Sequence, residues 1–315
     1  MTPLVNAQNL TMDFASGARR LRAVDGVSLQ IGAGQVLGVV GESGSGKSTL
    51  GRLLLRLLEP SAGTTTFDGQ DLALLGPRAL RRFRRNMQMI FQDPFASLNA
   101  RMTVGDTLAE PLRLHRGLRG AALRDAAAAL MEQVGLTGEH LRRYPRAFSG
   151  GQRQRVAIAR ALASQPRFIV ADEPVSALDV SIQAEVVNLL QDLQRSLGLA
   201  LLFISHDLSV VEVVADRVVV LYLGRVMETA PTEVLYAQPG HPYTAALMQA
   251  APGARRAGAR IVLAGEISSP LDPPSGCVFR TRCPFAIPDC AAGRPVLRPV
   301  GPGHLKACIR DGLPL

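Results

Sequence analysis

An α/β fold with buried parallel strands is what this sequence predicts, and three observations carry that prediction. Short continuous apolar runs, Gln35–Val40, Phe168–Ala171 and Leu199–Ile204, have the length and composition of strands buried on both faces. Helix-like stretches lie between them: Thr49–Leu58 has helical apolar spacing, Ala121–Val134 is rich in Ala and Leu, and Val180–Leu197 precedes the third run. The first run ends in a Gly/Ser cluster that leads directly into a helix, so strand, glycine-rich turn and helix follow in order.

The remaining elements fill in around these. Val5–Phe14 and Ala23–Ile31 alternate loosely and read as strands, with turn signals at Ser16-Gly17 and Gly32–Gly34. Residues 103–163 read as mostly helical, ending in Gln152–Ala163 after a Gly-Gly start. Arg217–Tyr222 reads as a further strand and Gly224 as a turn. After residue 230 prolines multiply and all four cysteines appear, so residues 231–315 read as a C-terminal extension of a domain covering 1–230.

Composition narrows the class. The chain has 315 residues, 47% of them apolar, enough to bury a core and to exclude global disorder. At about 100–200 residues per domain it predicts one large and one small domain. The net charge of +9 suits an anionic ligand or a membrane surface without singling out either. The apolar runs Leu197–Ile204 and Val218–Leu223 fall far short of the ~18 residues of a membrane span. The N-terminus lacks a charged-then-apolar signal segment. A cytosolic chain that meets a membrane only through partners is the expectation. Five arginines, Arg78, Arg81, Arg82, Arg84 and Arg85, crowd one short stretch. With no interleaved aromatics for base stacking, they read as a solvated helix face rather than a nucleic-acid patch.

Chemistry enters at Gly41-Glu42-Ser43-Gly44-Ser45-Gly46-Lys47-Ser48, a full match to G-x-x-x-x-G-K-[ST], followed by Thr49. Glycines let backbone N–H groups converge on phosphate oxygens, and the helix that follows aims the positive end of its dipole at them. Lys47 adds a compact positive charge, and the Ser48 hydroxyl suits Mg²⁺. Only two lysines, Lys47 and Lys306, stand in the chain beside 33 arginines. One of them sits where a narrow cradle needs an ammonium rather than a wide guanidinium. The run Phe168-Ile-Val-Ala-Asp172-Glu173 ends a strand in two carboxylates: Asp172 is a candidate Mg²⁺ ligand, and Glu173 a candidate base for the attacking water.

Many nucleotide hydrolases share these two elements; the residues beside them are more particular. Phe148-Ser149-Gly150-Gly151-Gln152 resembles the L-S-G-G-Q signature of the ABC transporter ATP-binding cassette, with Phe148 for the leading Leu. Other cassette motifs follow in order. Gln92 in Phe91-Gln92-Asp93-Pro94 resembles the Q-loop glutamine, which senses metal and γ-phosphate. Ser176-Ala177-Leu178-Asp179 resembles the D-loop, and His206 in Ile-Ser-His206-Asp207 the switch histidine. Phe14 lies where the family places an aromatic against adenine. The resemblance covers roughly residues 4–230. It implies a P-loop NTPase cassette: a RecA-like core, an antiparallel β subdomain and a helical subdomain at about 93–165. It further implies ATP and Mg²⁺ as ligands, with Ser48, Gln92 and Asp172 as metal ligands. It also implies a composite site in which Ser149, Gly150, Gly151, Gln152 and Asp179 of one cassette serve ATP held by the other.

A narrower resemblance runs over nearly the whole chain. The stretch Asp93 to Thr103, with Ala100 in place of a proline, resembles the oligopeptide/dipeptide importers, a group that includes nickel and glutathione transporters. So do Gly240-His241-Pro242-Tyr243-Thr244 and the tail around Cys277 and Arg282-Cys283-Pro284. Within that group the chain is closer to the second of the two cassettes. The resemblance implies an ATP-hydrolysing motor with a second, related cassette, two transmembrane permease subunits and, indirectly, an extracytoplasmic substrate-binding protein. It places the chain at the cytoplasmic face of the cell membrane as a peripheral subunit. The spacing Cys277-x5-Cys283-x6-Cys290-x17-Cys308 is not that of a zinc ribbon. A [4Fe–4S] cluster, zinc and free thiols all stay open, the cluster foremost because the resemblance implies it: some relatives with this tail pattern are associated with one. A soluble ABC ATPase acting on nucleic acid or the ribosome is the rival reading, supported by the arginine cluster. Against it stand a single cassette per chain and a short, heptad-free interval from Lys47 to Asp172.

Overall fold

The strand–turn–helix segment is present in the computed structural model, which describes residues 2–17, 19–93, 97–250 and 265–315. Pro94, Phe95 and Ala96 of the importer-like stretch, and residues 251–264 of the C-terminal extension, lie outside the described residues. The chain divides into two compact units. One comprises Met1–Ile31, Val36–Asp71 and Phe203–Leu315; the other comprises Gly32–Gln35 and Leu72–Leu202.

The first unit opens with the antiparallel strands β1 (Val5–Ser16) and β2 (Arg19–Ile31), paired from Val5↔Ile31 to Ser16↔Arg19 with register shifts between Ala7 and Asp13. β4 (Ala62–Phe67) pairs antiparallel with β1 and β5 (Gln70–Asp71) with β4, giving the sheet order β2-β1-β4-β5. The second sheet of this unit starts from β3 (Val36–Val40), which pairs in parallel with β9 (Arg217–Tyr222). Every residue of β3 is buried, as a strand covered on both faces requires. β10 (Arg225–Pro231), β12 (His304–Lys306) and β11 (Arg298–Gly301) continue from β9 in antiparallel fashion. The C-terminal extension therefore adds strands to the same sheet that carries β3.

Helix α1 covers Lys47–Leu54, not the Thr49–Leu58 that apolar spacing suggests. Arg56 takes a left-handed φ of 48°, and the amides of Leu57 and Leu58 turn back onto the Arg52 carbonyl, which ends the helix early. The apolar residues beyond Leu54 belong to this turn, and their spacing carries no sign of it.

In the second unit, α2 (Pro77–Phe83) buries none of its residues, and Arg78, Arg81, Arg82 and Arg85 are exposed, as a solvated face requires. Strands β6 (Met87–Ile90) and β7 (Phe168–Asp172) pair in parallel from Met87↔Phe168 to Ile90↔Ala171. Between them lie α3 (Val104–Arg116), capped by the Thr103 hydroxyl, α4 (Gly120–Gln133) and α5 (Gly150–Leu162). Their inward faces carry Leu108, Leu112, Leu130, Met131, Val156 and Ile158, all buried. Each such side chain contributes about 1.5–3 kcal/mol on leaving water. α6 (Val180–Leu197) coincides with its expected span and stops at Gly198, whose φ of 62° suits a helix end. The division between the units falls inside β8 (Ala200–Ile204), and α7 (Leu208–Val214) follows in the first unit.

The face of β3 leaves no spare volume. A Cβ added at Gly38 would lie 2.6 Å from Cγ1 of Val211 and 3.0 Å from Cβ of Ala215. Val211 is branched at Cβ and cannot swing aside. Gly38→Ala is expected to cost about 1–3 kcal/mol by overpacking. The check is urea denaturation, with a lowered midpoint at unchanged slope.

Candidate functional site

The phosphate-loop residues are held by backbone geometry that a side chain would break. Gly41 leaves β3 with φ 149°, and a Cβ there would lie 2.1 Å from the Leu221 carbonyl oxygen. Gly46, at the N-cap of α1, has φ 99°, and its Cβ would lie 2.2 Å from the Ala23 carbonyl oxygen. Gly44 has open space around it but a φ of 76°, so there it is the backbone conformation that selects glycine. The first N–H groups of α1 have no intrahelical partner and are the donors for an anion. Ser43 and Gly44 are exposed, Ser48 and Thr49 half-buried. Ser45 is buried, with a hydroxyl that finds no hydrogen-bond partner among the described residues. Lys47 is buried too, and its Nζ donates to the carbonyls of Gly41 (2.7 Å) and Glu42 (2.9 Å). The loop thus holds a desolvated ammonium at its own base, which fits a polyphosphate.

Two further candidates lie in the same unit. Phe14 is half-buried on β1, opposite Leu21. His206 is exposed just past β8, between two fixed points. The Ser205 amide donates to the Val39 carbonyl (3.2 Å), and the Asp207 carboxylate caps α7 by accepting from Ser209 N (2.9 Å).

In the second unit, strand topology explains how Gln92 and Glu173 meet. Ile90 lies opposite Ala171 in the parallel pair β6–β7, so residues two positions on emerge at the same strand ends. Nε2 of Gln92 donates to Oε2 of Glu173 at 3.0 Å. Ligands of open α/β sheets gather outside the carboxyl ends of parallel strands, where these two side chains stand. Asp172, the last residue of β7, is buried. Glu173 has φ 46°, unusual for a non-glycine residue, and its carbonyl accepts from the Ser176 hydroxyl at 3.1 Å. Ser48, Gln92 and Asp172 each carry a hard oxygen atom, the donor type that Mg²⁺ selects.

The signature residues start α5. Ser149 is its N-cap: its hydroxyl accepts from Gln152 N (3.3 Å), while the Gln152 side chain accepts from Ser149 N (3.1 Å). A Cβ on Gly151 would lie 2.4 Å from Cγ2 of Ile182, so this glycine also serves close packing onto α6. Phe148, in place of the family's leucine, is buried with its ring edge on His140. Asp179 is exposed at the N-cap of α6 and makes no side-chain cap, and Val180 beside it is 84% exposed.

All four cysteines are free thiols, and all four line one cavity together with His241 and Phe279. Burial pushes the Cys283 thiol up to about 11 and raises that of Cys277, with the neighbouring cysteines adding to both. Burial, together with the Lys306 charge, pushes His241 down to about 3, so the imidazole beside the thiols is neutral. Among the described residues no group of three or more His, Cys, Asp or Glu side chains is placed to hold a metal ion. The expected ligand set thus shares a cavity without standing in the arrangement of a metal centre.

Two residues contained in the importer-like motifs, and given no role by sequence reasoning, reach the phosphate loop. The Tyr243 hydroxyl accepts from Glu42 N at 3.0 Å, and the Arg282 guanidinium grips the Glu42 carboxylate at 2.6 and 3.1 Å. Their only sequence signal was membership of the motifs His-Pro-Tyr-Thr and Arg-Cys-Pro.

Among the described residues no helix is long and apolar enough to cross a membrane. Residues 24–176 match the family model for the ABC transporter, and residues 227–290 match that for the oligopeptide/dipeptide transporter C-terminal region. A Brucella abortus protein named for peptide import and ATP binding is 58% identical over 317 residues, spanning 99% of each chain. The oligopeptide transport ATP-binding protein AppF of Bacillus subtilis is 50% identical over 293 residues, 91% of this chain and 89% of its own. Among solved structures, the dimeric post-hydrolysis state of the ATP-binding cassette MJ0796, bound to ADP and Pi, superposes with a TM-score of 0.67. It is 30% identical and covers 72% of this chain and 98% of its own. CbiO1 of Clostridium perfringens, part of the ABC transporter complex CbiONQ, has a TM-score of 0.67 and 27% identity, covering 76% and 92%. Motif geometry, cassette fold and full-length similarity agree: the chain belongs to the ABC transporter family, as an ATP-binding subunit with an oligopeptide/dipeptide-type C-terminal region.

Proposed function

We propose that this chain is the ATP-hydrolysing motor of a peptide importer. The observation that carries the reading is the Gln92–Glu173 pair at the carboxyl ends of parallel strands. It occurs in a chain that also holds a phosphate loop whose Gly41 and Gly46 leave no room for a side chain, with a buried lysine. The loop amides and Lys47 bind the ATP phosphates, and Phe14 takes the adenine. Mg²⁺ is assigned to the oxygen donors Ser48, Gln92 and Asp172; when bound, it neutralises phosphate charge and orients the γ-phosphate. Glu173 accepts the proton of the attacking water, and Gln92 holds its carboxylate in place. His206 orients the water and γ-phosphate as charge develops.

Turnover needs a second cassette. Ser149, Gly150, Gly151, Gln152 and Asp179 are assigned to ATP held by the partner. The partner is read as a related but different cassette, and closure of the pair drives two permease subunits. An extracytoplasmic binding protein delivers the cargo, and this chain sits on the cytoplasmic side as a peripheral subunit. Dipeptides or oligopeptides are the proposed cargo. A [4Fe–4S] cluster on Cys277, Cys283, Cys290 and Cys308 rests only on the cavity that these thiols share; no step of hydrolysis is assigned to it.

Three measurements test this reading. Glu173→Gln is expected to keep ATP binding, lower turnover by roughly 10²–10⁴-fold and trap a closed dimer; normal turnover would sink the assignment. A strain lacking the gene is expected to lose uptake of labelled di- and oligopeptides, and undiminished uptake of both would remove peptides as the cargo. Anaerobically prepared protein is expected to contain about four irons per chain, as a [4Fe–4S] cluster demands; less than one would leave the cysteines as free thiols or zinc ligands.

A further inference from the structure

Glu42 is held at every polar group it has. Its carbonyl accepts from Nζ of Lys47 at 2.9 Å. Its amide donates to the Tyr243 hydroxyl at 3.0 Å. Its carboxylate receives two bonds from Arg282, at 2.6 and 3.1 Å, a bidentate charge-assisted pair. The first bond runs inward to the phosphate-reading lysine; the other two come from the C-terminal region, and the Arg282 pair spans 240 residues of sequence.

The outer partners are themselves rigid. Tyr243 is the second residue of the helix Pro242–Ala250, and its ring is fully buried. It packs edge-on against Tyr222 (4.8 Å between centroids) and tilted against Phe279 (5.2 Å). Phe279 lies two residues past Cys277 on the turn that carries Arg282, closed by Arg282 N donating to the Phe279 carbonyl at 3.0 Å. The Arg282 side chain is 8% exposed, with its guanidinium 6.0 Å from the Tyr222 ring centroid. An arginine this enclosed has little freedom left to lose when it grips Glu42.

We propose that Arg282 and Tyr243 are positioning residues for ATP: by fixing Glu42, they hold the phosphate loop and Lys47 in the binding conformation. The cysteine-rich region thereby sets the affinity of the nucleotide site. Neither residue touches the phosphates; both act through Glu42. This inference rests on the assignment of residues 41–49 to ATP. Because coupling is reciprocal, ATP on the loop also tightens the turn that carries Arg282.

The test uses the full chain and a fluorescent ATP analogue. Arg282→Ala and Tyr243→Phe are expected to weaken binding, the former about tenfold, the scale of a lost hydrogen bond to a charged group. Turnover of the assembled transporter at saturating ATP is expected to stay within about twofold of wild type, so the effect falls on KM and not kcat. Arg282→Lys restores the charge without the fork and is expected to recover part of the loss. Adding Glu42→Gln to Arg282→Ala is expected to cost little more, as two members of one interaction require. Saturating ATP is expected to slow hydrogen exchange at the amides of Cys277–Cys283 in wild type and not in Arg282→Ala. Asp311→Asn breaks the separate tail ion pair with Arg298 and is expected to leave affinity unchanged. Affinity within twofold of wild type in both Arg282→Ala and Tyr243→Phe, with Lys47→Ala weakened, overturns the proposal even if those variants melt earlier. Undiminished binding in Lys47→Ala overturns the assignment of the loop itself.

Discussion

The turn between Val40 and Lys47 has room for hydrogen and nothing larger at Gly41 and Gly46, where carbonyl oxygens of Leu221 and Ala23 already stand 2.1 and 2.2 Å from any Cβ. That crowding is what turns a chain segment into an anion cradle. It forces the backbone into left-handed and extended conformations that point N–H groups inward, and it starts α1 at Lys47. The buried ammonium of Lys47 is tolerable because two loop carbonyls solvate it. The neighbours that press on the loop come from β2 and β9, so its shape is a property of the surrounding strands as much as of its own residues.

Parallel pairing provides a second organising constraint. Each strand of a parallel pair ends on the same side, so residues far apart in sequence emerge together. Gln92 and Glu173, separated by 81 positions, meet because β6 and β7 run in parallel with Ile90 opposite Ala171. A slip of one residue in that register would send one of the two side chains to the other face. The left-handed φ of Glu173, with its carbonyl bonded to Ser176, is the local strain that this placement carries.

The C-terminal region is tied in by buried charge. Glu228 is fully enclosed and accepts from the amides of Gly240 and His241 (2.5 and 3.0 Å), with the His304 ring at 2.6 Å. Burial raises the carboxyl of Asp25, yet Arg225, Arg294 and Arg22 outweigh it and hold Asp25 below its ordinary value. Breaking a buried pair by removing one partner costs far more than the pair contributes, so these contacts fix where the region docks. Docking brings Arg282 to Glu42. A segment recognisable in sequence only as a family tag thereby meets the nucleotide loop.

Sequence alone determined whatever rests on local spacing. The phosphate loop, the strand that runs into Asp172-Glu173, the helix after the Gly150-Gly151 pair and the full span of α6 all follow from patterns within a turn, a strand or a helix. Local spacing failed where a backbone reversal interrupted it, as at Arg56, whose left-handed turn ends α1 at Leu54. Tertiary structure decided the rest: that Glu173 is held by Gln92, that Glu42 answers to Arg282, and that four thiols spread over 277–308 line one cavity without the arrangement of a metal centre. The physical reason is common to all three. Periodicity records which face of an element a side chain occupies, whereas partners distant in sequence are chosen by strand register and by the docking of separate segments, which no local pattern encodes.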